Sequence, residues 1–261
     1  MARTNSKLKN FYDKVYLKGE KKHYSKLLLG DKITEEKKAI LGEVSWSGKK
    51  VLDVGCGTGE LAFLVAKEGA EKVVAIDYSA SAIEVANANY HSDNLAYRCE
   101  DINKISGSFD VITVVGVLEH IDDPLKLLKK LKKMLAPKGS IIVTCPNWSN
   151  PRGYILLALK DLFDAEITLA DIHYFTPVEF EKWSKLLKMF LSWKTLEHDW
   201  GHGKKLIKDF TRRLPNVLKP LKGASKTGID TFIKWLDSHV SELEGELKHN
   251  GATGFYHFRL D

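Results

Sequence analysis

The stretch VLDVGCGTGE, residues 51–60, places three glycines in five positions directly behind an apolar run that a single aspartate interrupts. Gly55, Gly57 and Gly59 follow an expected strand and open an expected helix, which is the setting in which a glycine loop brings main chain against a ligand. Glycine allows positive φ and leaves no Cβ between backbone and bound atoms. The spacing is G-x-G-x-G rather than the G-x-G-x-x-G that seats a pyrophosphate on a helix N-terminus. Asp53, just ahead of the loop, argues the same way, since a carboxylate there repels phosphate oxygens and attracts an ammonium group.

Two more acids extend the pattern. Asp77 ends the next apolar run, VVAIDYS, 22 residues beyond Gly55, where a carboxylate can accept both hydroxyls of a ribose. Asp101, in CEDI, follows an expected third strand and is placed to meet an adenine amino group. An ammonium-binding acid, a ribose-binding acid and an adenine-binding acid together describe a nucleoside that carries an amino acid. S-adenosylmethionine is such a ligand.

The rest of the chain fits one large α/β unit. Its 261 residues with 44% hydrophobic content suffice for a sizeable core. Strands are expected at Lys50 to Val54, Val73 to Ile76, Leu95 to Cys99, Phe109 to Val115 and Ser140 to Cys145, with helices at Glu60 to Lys67, Ala80 to Tyr90 and Pro124 to Leu135. This alternation is the sequence form of a parallel sheet with crossover helices. The third helix has an aspartate cap and Pro124 at its start and is expected to stop at APKG. Thr176, Pro177 and Glu179 spell a capping box for a further helix.

Four regions are expected: a helical cap over residues 1–45, a cofactor-binding core over 46–202 with a lid insertion at 146–175, a basic, mainly helical insertion over 203–250, and a final strand of the core sheet over 251–261. In the lid, Tyr154, Ile155, Leu156, Leu159, Leu162 and Phe163 form a helix-compatible apolar stripe, suited to packing on the core, to covering an apolar acceptor or to touching a membrane surface. Between residues 203 and 226, eight Lys or Arg residues stand against Asp209 alone. Such a run is ordinarily a solvated face, and it also suits phosphates or anionic lipid. Cys56, Cys99 and Cys145 are widely spaced and suggest neither a disulfide framework nor a zinc site. With no apolar leader pattern at residues 1–10 and no run of spanning length, the expectation is a cytoplasmic protein in a reducing compartment.

In order along the chain, VLDVGCGTG, VVAIDYS, CEDI, FDVITVVGVLEHIDDP and LAPKGSIIVTCPN resemble the successive motifs of class I S-adenosylmethionine-dependent methyltransferases. The resemblance implies a Rossmann-like seven-stranded, mostly parallel sheet of order 3-2-1-4-5-7-6 with the last strand antiparallel. It implies Asp53 acting on the methionyl amino group through water or backbone, Gly55 and Gly57 lining the methionyl and ribose portions, Asp77 on the ribose hydroxyls, and Asp101 with Ile102 bordering adenine. The backbone of Val115 and Gly116 is expected to face the sulfonium, with Cys56, Gly59 and Tyr78 completing the cofactor-binding surface.

A sulfonium already provides a good leaving group, so the protein's tasks are to align the acceptor and exclude water. An alcohol or phenol also needs its proton removed. His120, in VLEHIDDP beyond the fourth strand, and His173, in DIHYFTPVEF, are the candidate bases, with Glu119 beside them. Each has a structural alternative in orienting a loop or capping a helix. The H-x-F-T pattern with Pro-x-Glu-Phe is similar to ubiquinone-biosynthesis O-methyltransferases and small-molecule methyltransferases, which implies O-methylation of a small-molecule or lipid-like acceptor. Glu119, His120 and His173 also match three of the four metal ligands of small-RNA 2′-O-methyltransferases, although Gly116 replaces the first glutamate. RNA therefore stands as an alternative partner, and a cofactor-binding assembly partner without turnover as another. No resident metal is expected.

Overall fold

The computed structural model describes residues 33–168, 170–221, 225–241 and 247–261. Seven strands form one sheet in the order β3-β2-β1-β4-β5-β7-β6, with β1 at Lys50–Val54, β2 at Lys72–Asp77, β3 at Leu95–Cys99, β4 at Phe109–Val115, β5 at Leu135–Pro146, β6 at Phe190–Leu196 and β7 at Thr253–Arg259. Strands β1 to β5 run parallel, and β7 is antiparallel to both β5 and β6. This is the Rossmann-like fold and strand order that the motifs imply. The helices are α1 (Glu35–Leu41), α2 (Glu60–Lys67), α3 (Ala80–Asn89), α4 (Pro124–Lys132), α5 (Pro151–Phe163), α6 (Pro177–Leu187), α7 (His198–Gly201), α8 (Lys204–Leu218) and α9 (Lys226–His239). Of the helical cap expected over residues 1–45, the part up to residue 32 lies outside the described residues, and α1 represents the remainder.

The central strands are buried on both faces, which is why they read as near-continuous apolar runs. Alternate residues divide between the two sides. Leu52, Val54, Val74, Ile76, Ile112 and Val114 meet Leu127, Leu128 and Leu131 of α4 and Phe180 and Leu187 of α6. Val51, Val73, Ala75, Val111 and Ile142 meet Leu61, Ala62 and Val65 of α2 together with Ile40 of α1. A third apolar cluster, with Trp148, Leu156, Leu206, Phe210, Leu214 and Leu236 at its centre, joins α5, α8 and α9 into a helical wing.

Several boundaries differ from expectation for identifiable reasons. Helix α4 ends at Lys132 rather than Leu135, because the Met134 carbonyl accepts the Phe109 N–H (2.9 Å) and the sheet takes over the chain there. APKG is thus not a helix stop. Leu135 pairs with Phe109, pairing resumes at Ser140 opposite Val111, and Lys138 turns the intervening segment with φ +61°. Strand β6, FLSWKTL, was not expected from residue patterning, and its burial shows why: a half-exposed run with buried residues only at Thr195 and Leu196 lacks the alternation that announces a strand. The final strand, expected over 251–261, spans Thr253–Arg259.

The α5 stripe is not one face. Leu156 is buried and Ile155 and Leu159 pack against the wing, whereas Tyr154, Leu162 and Phe163 are exposed. The basic run is likewise split. Lys204, Lys205, Lys208 and Arg212 are exposed, but Arg213 turns inward and, with Arg152, grips the buried Asp209 carboxylate at 3.0 and 3.1 Å. Among the described residues no helix is long and apolar enough to cross a membrane.

Ile142, on β5, has no exposed surface. Ile142→Ala is expected to lower unfolding free energy by about 2–5 kcal/mol, the usual range for deleting a fully packed aliphatic side chain, measured as a shift in urea midpoint at unchanged slope.

Candidate active site

The strand order reverses between β1 and β4, and in open α/β sheets ligands bind outside the carboxyl ends of the strands at such a point. The loop after β1 carries Gly55, Gly57 and Gly59, all with positive φ (72°, 53° and 83°). The loop after β4 carries Gly116, also at positive φ, then a short 3₁₀ turn at Leu118–His120. The two loops touch: a Cβ on Gly55 would lie 2.4 Å from a methyl of Val117. Gly59 is demanded by packing as well, because a Cβ there would strike the ring of Tyr97, whose hydroxyl donates to the Gly59 carbonyl at 3.0 Å.

The end of β2 holds the glycine loop. Gly55 and Cys56 both donate their N–H to the Ile76 carbonyl, at 2.8 and 2.9 Å. Asp77 accepts from Gly57 N–H at 3.0 Å through one carboxylate oxygen and from Ser79 N–H at 2.9 Å through the other. Asp53 is buried beneath the loop and accepts the Thr113 hydroxyl at 2.6 Å, its in-register neighbour on β4. Burial raises the Asp53 carboxyl to about 6, against the Thr113 bond that lowers it, and the nearby Asp77 charge adds to the rise. The Cys56 thiol is pushed up first by burial, then by Asp53 and Asp77, and so stays protonated rather than nucleophilic.

Glu119, in the turn after β4, is 4% exposed, and its Oε2 has no hydrogen-bond partner. Burial, with smaller contributions from Asp171 and Glu36, raises its carboxyl to about 8, although a hydrogen bond from its own backbone works in the opposite sense. His120 Nε2 lies 3.9 Å from Glu119 Oε1. His120 Nδ1 is 3.1 Å from the Ala170 carbonyl and 3.6 Å from Asp171. A carbonyl accepts only, so Nδ1 carries the hydrogen and the Nε2 lone pair faces Glu119. The turn at Leu118–His120 is tied further to the segment before α6 by the Ile172 and His173 N–H groups, which donate to the Glu119 carbonyl at 2.9 and 3.2 Å.

His173 does not join that pair. Its Nε2 donates to the Ile121 carbonyl at 2.8 Å, and its ring stacks on Phe175 with centroids 5.1 Å apart. The Ile121 bond and the Phe175 stack fix the orientation of the ring. Asp101 is exposed and caps the 3₁₀ turn Ile102–Lys104 by accepting from Asn103 N–H at 2.7 Å, with Ile102 half-buried beside it. Tyr78 follows Asp77 directly and is half-buried, Val115 closes β4, and Gly116 is exposed at its head. Among the described residues no group of three or more His, Cys, Asp or Glu is arranged to hold a metal. Thr113, Tyr97 and Asp171 were missed in sequence, as each acts through a pairing or packing partner far along the chain. Only Thr113 had a signal, a lone polar residue in an apolar strand.

These residues fit S-adenosylmethionine. A carboxylate at the end of the strand after the glycine loop is the type of group that accepts ribose hydroxyls, and Asp77 stands there. The glycine loop offers close backbone approach without phosphate-attracting charge, and Asp53 places negative character below it. A seven-stranded sheet of this order with this loop at its switch point defines a class I S-adenosylmethionine-dependent methyltransferase. The chain belongs to the methyltransferase domain family, whose profile matches residues 45–209. It is 32% identical over 157 residues to the ubiquinone biosynthesis O-methyltransferase of Coxiella burnetii, covering 57% of this chain and 66% of that one. It is 34% identical over 155 residues to the enzyme of the same name from Neisseria meningitidis, covering 57% of this chain and 61% of that one. In both pairs the match spans less than two thirds of the relative's length. In fold it is similar to an S-adenosylmethionine dependent methyltransferase from Mesorhizobium loti, with a TM-score of 0.54 at 13% identity over 86% of this chain and 96% of that one.

Asp77→Ala is expected to weaken S-adenosylmethionine binding by about 1–3 kcal/mol, as charge-assisted hydrogen bonds and the loop's anchor are lost together; isothermal titration reads this directly. A second outcome concerns stability. The native Glu119 carboxyl lies above its unfolded value of 4.5, at about 8, so the native state holds the proton more tightly, and stability falls as pH rises between those values. Glu119→Gln carries no such proton, and its stability relative to the unsubstituted protein is expected to improve steadily across that window in urea titrations.

Proposed function

We propose that the protein transfers the methyl group of S-adenosylmethionine to an oxygen of a small-molecule or lipid-like acceptor, with Glu119 and His120 taking the acceptor's proton. The observation that carries this reading is the Glu119–His120 pair, 3.9 Å apart with Glu119 buried and His120 partly exposed, in the turn next to Gly116 at the switch point. S-adenosylmethionine supplies, when bound, a methyl group on a sulfonium leaving group. The chain's own residues do the rest. Asp77 holds the ribose hydroxyls, Asp53 acts on the methionyl ammonium through the loop above it, and Asp101 with Ile102 borders the adenine. The backbone of Val115 and Gly116 borders the sulfonium, where the absence of a side chain on Gly116 leaves room for in-line approach.

A phenol or alcohol gives up its proton as it attacks, and a base with pKa near the working pH suits that step. Glu119, raised to about 8, is such a base when ionised, and His120 accepts through Nε2 beside it. Similarity to O-methyltransferases from Coxiella burnetii and Neisseria meningitidis supports oxygen as the acceptor atom. The exposed Tyr154, Leu162 and Phe163 on α5 support the lipid-like end of the range. The metal-assisted RNA alternative finds no support in the site, because among the described residues Glu119, His120 and His173 do not form a group arranged to hold a metal.

The test is a panel of phenols, quinols and long-chain alcohols incubated with S-adenosylmethionine, read as S-adenosylhomocysteine formation. Glu119→Gln and His120→Ala are each expected to lower kcat by roughly 10²–10⁴-fold with cofactor Kd held. In the unsubstituted protein, kcat/KM should climb with pH and level off above about 8, where Glu119 is ionised. Tight cofactor binding with no turnover on any acceptor would replace this reading with that of a cofactor-binding assembly partner.

A further inference from the structure

The turn that carries Asp101 is short and is held from outside by one side chain. Cys99, the last residue of β3, stands in register with Asp77, and Glu100 N–H donates to the Asp77 carbonyl at 3.1 Å. The chain therefore passes from the side of the ribose-binding acid straight into the 3₁₀ turn Ile102–Lys104. Inside the turn the hydrogen bonds are its own. Asp101 Oδ1 accepts Asn103 N–H at 2.7 Å, and the Asp101 and Ile102 carbonyls accept the Lys104 and Ile105 N–H groups at 2.8 and 3.3 Å. A single 3₁₀ turn with its poorer hydrogen-bond geometry does little to fix its own place.

Among the described residues, the hydrogen bonds that reach this turn from another element are those of Lys130 in α4. Its Nζ donates to the Ile102 carbonyl at 2.6 Å and to Asn103 Oδ1 at 3.0 Å. The neighbouring lysines of α4 do other things: Lys129 is exposed, and Lys132 donates to the Leu187 carbonyl of α6. An ammonium on a carbonyl is a charge-assisted bond. Burial lowers the Lys130 pKa and the Asp101 charge acts against that, so the lysine is drawn in toward the turn and lies near its acid. The Ile102 side chain packs on the cluster that contains Leu127 and Leu131 of the same helix. Helix α4 thus grips the turn twice, by Ile102 packing and by Lys130 bonding.

A carboxylate that accepts an amino N–H must be held in place, because hydrogen bonds weaken steeply with misalignment, and Asp101 is itself exposed. We propose that Lys130 is a positioning residue for adenine recognition, fixing through the Ile102 carbonyl and the Asn103 side chain the turn that presents Asp101 to the base. The inference rests on the reading that Asp101 and Ile102 border the adenine. It adds that discrimination for adenine is set by a residue of α4, outside the CEDI motif.

The experiment titrates the full chain calorimetrically with S-adenosylhomocysteine and with S-inosylhomocysteine, in which a carbonyl oxygen replaces the 6-amino group. The unsubstituted protein is expected to prefer the adenine ligand by at least roughly 10-fold in Kd, the size of one hydrogen bond to a charged group. Lys130→Met should reduce that preference by roughly 3-fold or more, with the inosine ligand's Kd little changed. Lys130→Arg, which keeps charge and donors, should restore most of it, and Lys129→Met should leave it intact. Equal weakening of both ligands in Lys130→Met would make the lysine a support of the fold alone and overturn the proposal, as would equal affinity of the unsubstituted protein for both. Asp101→Asn separates the proposal from the reading beneath it. A preference lost in Asp101→Asn but kept in Lys130→Met overturns the role of Lys130 and leaves the adenine contact standing; a preference kept in both removes the two together. Loss in Lys130→Met alone upholds Lys130 and moves the contact from the Asp101 side chain to the backbone of the turn.

Discussion

Four backbone N–H groups converge on the last two residues of β2, and the site depends on that convergence. The Ile76 carbonyl takes those of Gly55 and Cys56, and the Asp77 carboxylate takes those of Gly57 and Ser79. Three consecutive amides of the loop after β1 are thereby tied to the neighbouring strand, which holds Gly55 and Gly57 in their left-handed conformations and delivers the chain to the start of α2. The other oxygen of the same carboxylate steadies Ser79, the N-cap of α3. One acidic side chain thus sets the start of two helices and the shape of the loop between strand and ligand. Because both its oxygens are already engaged, its orientation is set in advance of any ligand, and preorganisation of this kind reduces the ordering cost of binding.

The loop and its acid were legible in sequence because they are local: three glycines behind a strand, and a carboxylate at the end of the next. The central strands were legible because burial on both faces leaves an unbroken apolar run. Strand β6 was not, since its polar and apolar residues follow no period and its place is set by pairing with β7, more than fifty residues away. His173 drew attention as a histidine in a suggestive pattern, but the carbonyl that fixes its ring, Ile121, lies on another loop. Thr113 illustrates the complementary failure: an ordinary residue in sequence, made significant by the register of β1 against β4.

The acids at the sheet edge weaken the fold they belong to. Asp53 and Glu119 are buried, Asp53 accepting the Thr113 hydroxyl and Glu119 Oε2 accepting none, and both carboxyls are raised by burial. Functional sites commonly accept such cost where a perturbed acid is needed. The wing and the α4–α6 layer offset it with ordinary close packing, including the stack of Phe180 on Tyr256.

Strand β7 has a bearing on how the protein comes into being. It inserts between β5 and β6 and is antiparallel to both, yet helices α7, α8 and α9 are all synthesised between β6 and β7. Until residues 253–259 leave the ribosome, β5 presents an unpaired edge of apolar residues, Ile141, Ile142 and Val143 among them, with β6 unable to dock. Long-range strand insertion of this kind is slow to form, and open edges invite pairing with other chains. The nascent protein is consequently at its most aggregation-prone after strands β1 to β6 have been made and before β7 arrives to join β5 to β6.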